Sequence, residues 1–183
     1  MKCRLVPVAV VGLAMLAACA PPGPTEEQKA EMATQDKAAV DSLRDKAVAA
    51  ENAGDAAAVA ALWTDNGVYM PAHAPAAEGK AAIQAAYQAQ YDQFTVQLTV
   101  TSHEVEVAGP WAFNRGAYSS TMTPKAPPEA PAKGKAKAKK QAEPQPIQDK
   151  GKWLVIMQRQ QDGSWKIARL IFNSDLPLPG MGG

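Results

Sequence analysis

Hydrophobic and polar residues sort most clearly near the end of the chain. Two apolar runs, Trp153 to Met157 and Trp165 to Phe172, flank Gln161-Asp162-Gly163-Ser164. An Asp-Gly pair between β-rich runs predicts a tight hairpin, because Gly accepts the positive φ that the connection needs. In the second run, Trp165, Ile167, Arg169, Ile171 and Asn173 share one parity, and Lys166, Ala168, Leu170 and Phe172 the other. Both sets carry large apolar groups, so the hairpin is expected to be central and covered. Further upstream, Val96, Leu98 and Val100 alternate on even positions, whereas His103, Val105 and Val107 alternate on odd ones. That change of phase predicts a bulge or bend near residues 101–103. After a Gly109-Pro110 turn, Trp111 to Thr123 reads as one more strand.

The first half of the chain has a helical period instead. From about Glu26 it is rich in Ala, Glu, Lys and Gln, with Val40, Leu43 and Ala47 in one stripe and Gly54 placed to end the helix. Asp55 is a good N-cap for a short second helix, in which Val59, Leu62 and Trp63 form a face. Thr64-Asp65-Asn66-Gly67 reads as a turn, and Val68-Tyr69-Met70 as a brief strand stopped by Pro71. Residues 72–77 form a loop, and a third helix covers about 80–94 with Ile83, Tyr87, Tyr91 and Phe94 on one face. Helices followed by four long strands predict an α+β fold: a curved antiparallel sheet with three N-terminal helices packed on one face.

Composition adds location. The 183 residues suffice for one domain plus a leader, and the formal net charge of +1 lacks the basic excess expected of a nucleic-acid binder. Lys2 and Arg4 precede an apolar run from Leu5 to Leu16 that is too short to span a bilayer, so residues 1–18 read as a signal peptide. The run ends in Leu16-Ala17-Ala18-Cys19, which resembles the lipobox of bacterial lipoproteins. That resemblance makes Cys19 the lipidated first residue of the mature chain; the alternative is an ordinary secretory signal with Cys19 a bystander. With Ala20 after the cysteine, the expected location is the cell envelope, at the outer membrane and facing the periplasm. The other cysteine, Cys3, leaves with the leader, so the domain is expected to hold no disulfide and no cysteine metal site.

Residues 19–36 read as a tether and the start of the first helix, 37–177 as the domain, and 178–183 as a tail. Residues 124–149, rich in Lys, Pro and Ala, read as a disordered insertion. From Pro124 to Lys150 seven lysines face Glu129, Glu143 and Asp149. Such a tract either attracts anionic surfaces or is a solvated hairpin extension. No aromatic residue interleaves with the lysines, which again argues against a nucleic-acid partner.

Several short motifs, in order, then resemble one family. They are Asn52-Ala53-Gly54-Asp55, the run Leu62-Trp63-Thr64-Asp65-Asn66-Gly67-Val68-Tyr69-Met70-Pro71, Glu78-Gly79-Lys80-Ala81-Ala82-Ile83, Val107-Ala108-Gly109-Pro110-Trp111-Ala112 and Asp162-Gly163-Ser164-Trp165-Lys166-Ile167. They resemble the SnoaL-like, ketosteroid-isomerase-like domains of the nuclear transport factor 2-like superfamily over roughly 37–177, the lysine-rich segment apart. The resemblance implies a cone-shaped sheet wrapped around three helices (the cystatin-like α+β roll), an open cavity between them, and a homodimer formed through the sheet. It implies little about activity, because one fold hosts many functions. Where the isomerases hold a general-base Asp, just before the proline ending the first strand, this chain holds Met70. Methionine cannot take a proton from carbon, so that mechanism is not carried over.

Candidates for chemistry must be polar and face into the cone. His103 shares parity with Val105 and Val107, and is either a general acid or base working near neutrality or a rim histidine bonded to backbone. His73 lies in the loop at the expected mouth. Arg115 and Arg169 are mid-strand and would either hold a ligand carboxylate or phosphate, or pair at the sheet surface. Asn173 and Asp175 end the last strand, where they orient a ligand or cap a turn. Trp63, Tyr69, Tyr91 and Trp111 are pocket-wall or core aromatics. No metal-binding or cofactor motif is present, so none is expected. Three readings follow: an envelope lipoprotein binding a small apolar molecule, a non-catalytic dimerisation or structural module, or a weak isomerase-, dehydratase- or hydrolase-type enzyme using His103. An open cone favours the first, and a cone filled by side chains the second.

Overall fold

A computed structural model describes residues 23–125 and 145–177. The leader, Cys19, most of the lysine-rich segment and residues 178–183 lie outside the described residues. Helix α1 (Glu26–Ala53) begins at Thr25, whose hydroxyl accepts from the Gln28 amide while the Gln28 side chain accepts from the Thr25 amide. It ends at Gly54, which takes the left-handed φ of 66° and returns its N–H to the last carbonyls. Asp55 caps α2 (Ala56–Ala61) by accepting from the Ala58 amide at 2.8 Å. Helix α3 (Lys80–Gln93) buries Ile83, Tyr87 and Tyr91. The strands are β1 (Trp63–Met70), β2 (Ala77–Glu78), β3 (Phe94–Ala108), β4 (Trp111–Pro124), β5 (Ile147–Arg159) and β6 (Trp165–Ser174).

The curved, unclosed sheet has the order β2-β1-β6-β5-β4-β3, and all of its pairings are antiparallel except β1 with β6. The expected α+β roll is therefore present, with the last hairpin at the sheet centre. Gly163 closes that hairpin at φ 83°. Only the inner face of the sheet is covered by the helices. On the outer face Trp111, Leu154 and Ile171 are exposed in the single chain, so the hairpin is central but not covered on both sides. Asn52 ties α1 to the sheet by bonding both backbone groups of Leu98, at 2.6 and 3.0 Å. The buried side chains of Val40, Leu43, Val59, Trp63, Ile83, Tyr87 and Met157 join helices to sheet.

Besides Ala77, which pairs in β2 instead of lying in a loop, and Phe94, which opens β3 instead of ending the third helix, local details differ from the sequence reading in three places. Residues 64–67 belong to β1, where five steps from Trp63 to Val68 oppose two from Ile167 to Arg169. Helix α2 therefore ends before Trp63, which starts the strand instead of sharing a helical face with Val59. The arms of the β4–β5 hairpin extend into the segment expected to be disordered: Ile147, Gln148 and Asp149 pair with Met122, Thr121 and Ser120. Third, β6 carries a bulge, because Ile156 opposes Arg169 while Met157 opposes Ile167, leaving Ala168 as the extra residue.

Candidate functional site

Helices and inner sheet face enclose an open cavity of about 450 Å³. Its wall is mostly aliphatic, from Val59, Val96, Leu98, Val100, Val155 and Leu170. Strand alternation explains the selection: Trp153, Val155 and Met157 point inward from β5, while Leu154 points outward. Aromatic rings form a chain along the wall. Tyr87 stacks on Tyr69 with centroids 4.9 Å apart, Tyr69 lies 6.1 Å from Phe172, and Phe172 meets Tyr118 edge-on at 5.5 Å. The segment 71–75, including His73, lines the mouth.

Each end of this aromatic chain meets a carboxyl group. On one side the Tyr87 hydroxyl donates to Glu51 at 3.4 Å. Burial pushes the Glu51 carboxyl up from 4.5 to about 7, against the smaller opposing effect of the Tyr87 hydrogen bond. Burial, with Glu51 adding to it, also raises the Tyr69, Tyr87 and Tyr91 hydroxyls far above the ordinary tyrosine value, so all three remain donors at any physiological pH. On the other side the Tyr118 hydroxyl donates to Asp149 at 2.7 Å, and the Ser174 hydroxyl donates to the other oxygen of the same carboxylate. Arg44 also lines the cavity, but its guanidinium is engaged by Asp41 and Asp45 on its own helix. Trp63 lines the wall with its Nε1 buried and unpartnered among the described residues.

Most of the polar candidates expected from parity lie outside the cone. His103 is the extra residue of the predicted bulge: Ser102 opposes Gly116 and Glu104 opposes Arg115, leaving His103 unpaired and exposed. The same alternation that placed it inward fails at the inserted residue itself. Arg115 projects from the outer face, where it pairs with Glu104, and Trp111 lies on that face 44% exposed. The Ala168 bulge reverses parity, so Trp165 and Ile167 point inward, then Leu170 and Phe172. Arg169 and Asn173 are thereby turned outward, and Arg169 donates to the Asn66 and Ala168 carbonyls. Asp175 pairs with Lys152 at the surface. Trp63 and Tyr69 do line the cavity, while Tyr91 packs into the core with its ring centroid 5.9 Å from that of Tyr87.

Glu51, Tyr87, Tyr118 and Asp149 are the site groups that the sequence reading missed. Glu51 carried a usable signal, since it continues the stripe of Val40, Leu43 and Ala47 at helical spacing. A carboxyl group on an apolar stripe must either be paired or titrate abnormally. Among the described residues no group of three or more His, Cys, Asp and Glu could hold a metal ion, and no helix is long and apolar enough to cross a membrane.

The profile of the SnoaL-like domain matches residues 45–145. Among solved structures, a ketosteroid isomerase-like protein from Erwinia carotovora atroseptica superposes with a TM-score of 0.64 at 25% identity, covering 78% of this chain and 98% of its own. A nuclear transport factor 2-like superfamily protein from Salmonella enterica serovar Typhimurium gives 0.62 at 10% identity, with 85% and 99% covered. An NTF2-like protein with a cystatin-like fold from Novosphingobium aromaticivorans gives 0.60 at 17% identity, with 80% and 87% covered. No curated protein matches the sequence.

Proposed function

The chain belongs to the SnoaL-like domain family, and from that premise we propose that its cone binds a small, mostly apolar molecule. The observation that carries this reading is the open cavity of about 450 Å³ with its aliphatic and aromatic wall. That volume falls within the range of small-molecule sites, whereas a structural module would fill its core with side chains. Burying apolar ligand surface there gains about 25 cal/mol per Å² removed from water. Proton-transfer chemistry, where the bound molecule undergoes any, falls to Glu51 and not to His103, because Glu51 lines the cavity and His103 lies outside it.

The test is binding of N-phenyl-1-naphthylamine, a neutral probe whose fluorescence rises in apolar surroundings. Saturable binding to the wild type, lost in a Leu98→Trp variant that fills the cavity, is expected. Equal fluorescence in the two proteins refutes the reading. The leader supports a lipid anchor on Cys19 and hence an envelope location; loss of membrane retention and of fatty-acid labelling in Cys19→Ser tests it. The exposed Trp111, Leu154 and Ile171 on the outer sheet face support a homodimer, which sedimentation of the wild type against Leu154→Lys tests.

A further inference from the structure

The charge balance of the cavity wall is one-sided. Glu51 and Asp149 both line it, on opposite sides, and among the described residues no cation pairs with either inside the cone. Arg44, which also lines the cavity, already has Asp41 and Asp45 as partners. Glu51 in particular has one weak hydrogen bond, at 3.4 Å, and an apolar setting that gives its charged form little else to interact with. A buried carboxylate gains most from an incoming cation, because low polarity strengthens their attraction. The rings of Tyr69, Tyr87, Phe172 and Tyr118 between the two carboxyl groups supply π surfaces that also attract a cation.

Resting on the ligand-binding reading above, we infer that the cone selects a lipophilic amine, its ammonium held by Glu51 and its apolar body lying along the aromatic chain toward Asp149. A carboxylate ligand of the same shape meets the like charge of Asp149 and, once Glu51 has lost its proton, a second one. A neutral alcohol leaves Glu51 protonated and gains only apolar burial. An amine pairs with the carboxylate and stabilises its charged form, which removes the penalty that burial imposes.

Displacement of bound N-phenyl-1-naphthylamine by 4-phenylbutylamine, 4-phenylbutanol and 4-phenylbutyrate separates these cases. The amine is expected to compete at least about tenfold better than the alcohol, with the carboxylate weakest, a ratio matching one charge-assisted hydrogen bond. Glu51→Gln should abolish that preference, so that amine and alcohol displace the probe about equally well. In the wild type the preference should grow from pH 5.5 to 8 as Glu51 loses its proton. Tyr69, Tyr87 and Tyr91 face Glu51 from β1 and α3, Arg44 lies two turns away on α1, and His73 lines the mouth; the Glu51→Gln profile separates their contribution. Asp149→Asn should weaken the amine less than Glu51→Gln does. Equal affinity for amine and alcohol overturns the amine assignment while the cavity reading stands. Absence of probe binding in the wild type overturns both.

Discussion

Glu51 makes the energetics of the cone directly measurable through the pH dependence of stability. Its carboxyl is pushed from 4.5 to about 7 by burial, which means that the folded chain holds a proton over a range where the unfolded chain has released it. The sign follows: where the native state binds more protons than the unfolded state, stability falls as pH rises. The contribution is fully present below about 4.5, declines between about 4.5 and 7, and is gone above that. A shift of this size corresponds to about 3 kcal/mol across the window, a substantial part of the marginal stability of a small domain. Glu51→Gln keeps the shape and can still accept from Tyr87, but has nothing to titrate. The variant should therefore match the wild type near pH 4 and exceed it by up to about 3 kcal/mol near pH 8. Asp65 and Asp162, whose carboxyls are held below their ordinary range, Asp65 by Lys80 and Asp162 by Ser164, titrate below this window and are shared by both proteins. The assay is urea unfolding followed by the fluorescence of buried Trp63, Trp153 and Trp165, repeated from pH 4 to 8.5. Parallel wild-type and variant profiles would refute the claim that the cone desolvates Glu51.

Other consequences follow from the geometry. Gly116→Ala would place a Cβ 1.8 Å from the Thr101 carbonyl oxygen, so backbone must move; thermal unfolding should show a loss of about 2–4 kcal/mol. His103→Ala and Arg115→Ala act on the outer surface, so each should change stability by less than about 1 kcal/mol and leave probe binding unaltered, a combination that urea unfolding and fluorescence titration check together. Thr25→Ala removes the cap of α1 and should cost about 1 kcal/mol of local stability, read as faster amide exchange in the first helical turn.

Much of the fold was legible along the chain, because it is written in local signals. Gly54, Asp55 and Gly163 are caps and turns whose chemistry acts within a few residues, and each sits where the pattern placed it. Even the β3 bulge was visible as a phase change in the apolar alternation. The site was less legible. Its expected polar residues follow from parity along single strands, and parity survives only until an extra residue enters. One bulge left His103 outside, and another, at Ala168, which no phase change in the sequence announced, turned Arg169 and Asn173 outward while bringing Leu170 and Phe172 in.

The sequence by itself determined the order of the main helices and long strands, the α+β class, the buried aromatic helix face of Tyr87 and Tyr91, and the family resemblance. Tertiary structure alone decided that Glu51, from a helix, and Asp149, from a segment that reads as an insertion, face one cavity at the two ends of an aromatic chain. The reason is physical: helix caps and turns are short-range, whereas the solvation of a carboxyl group depends on what distant strands and helices bring around it.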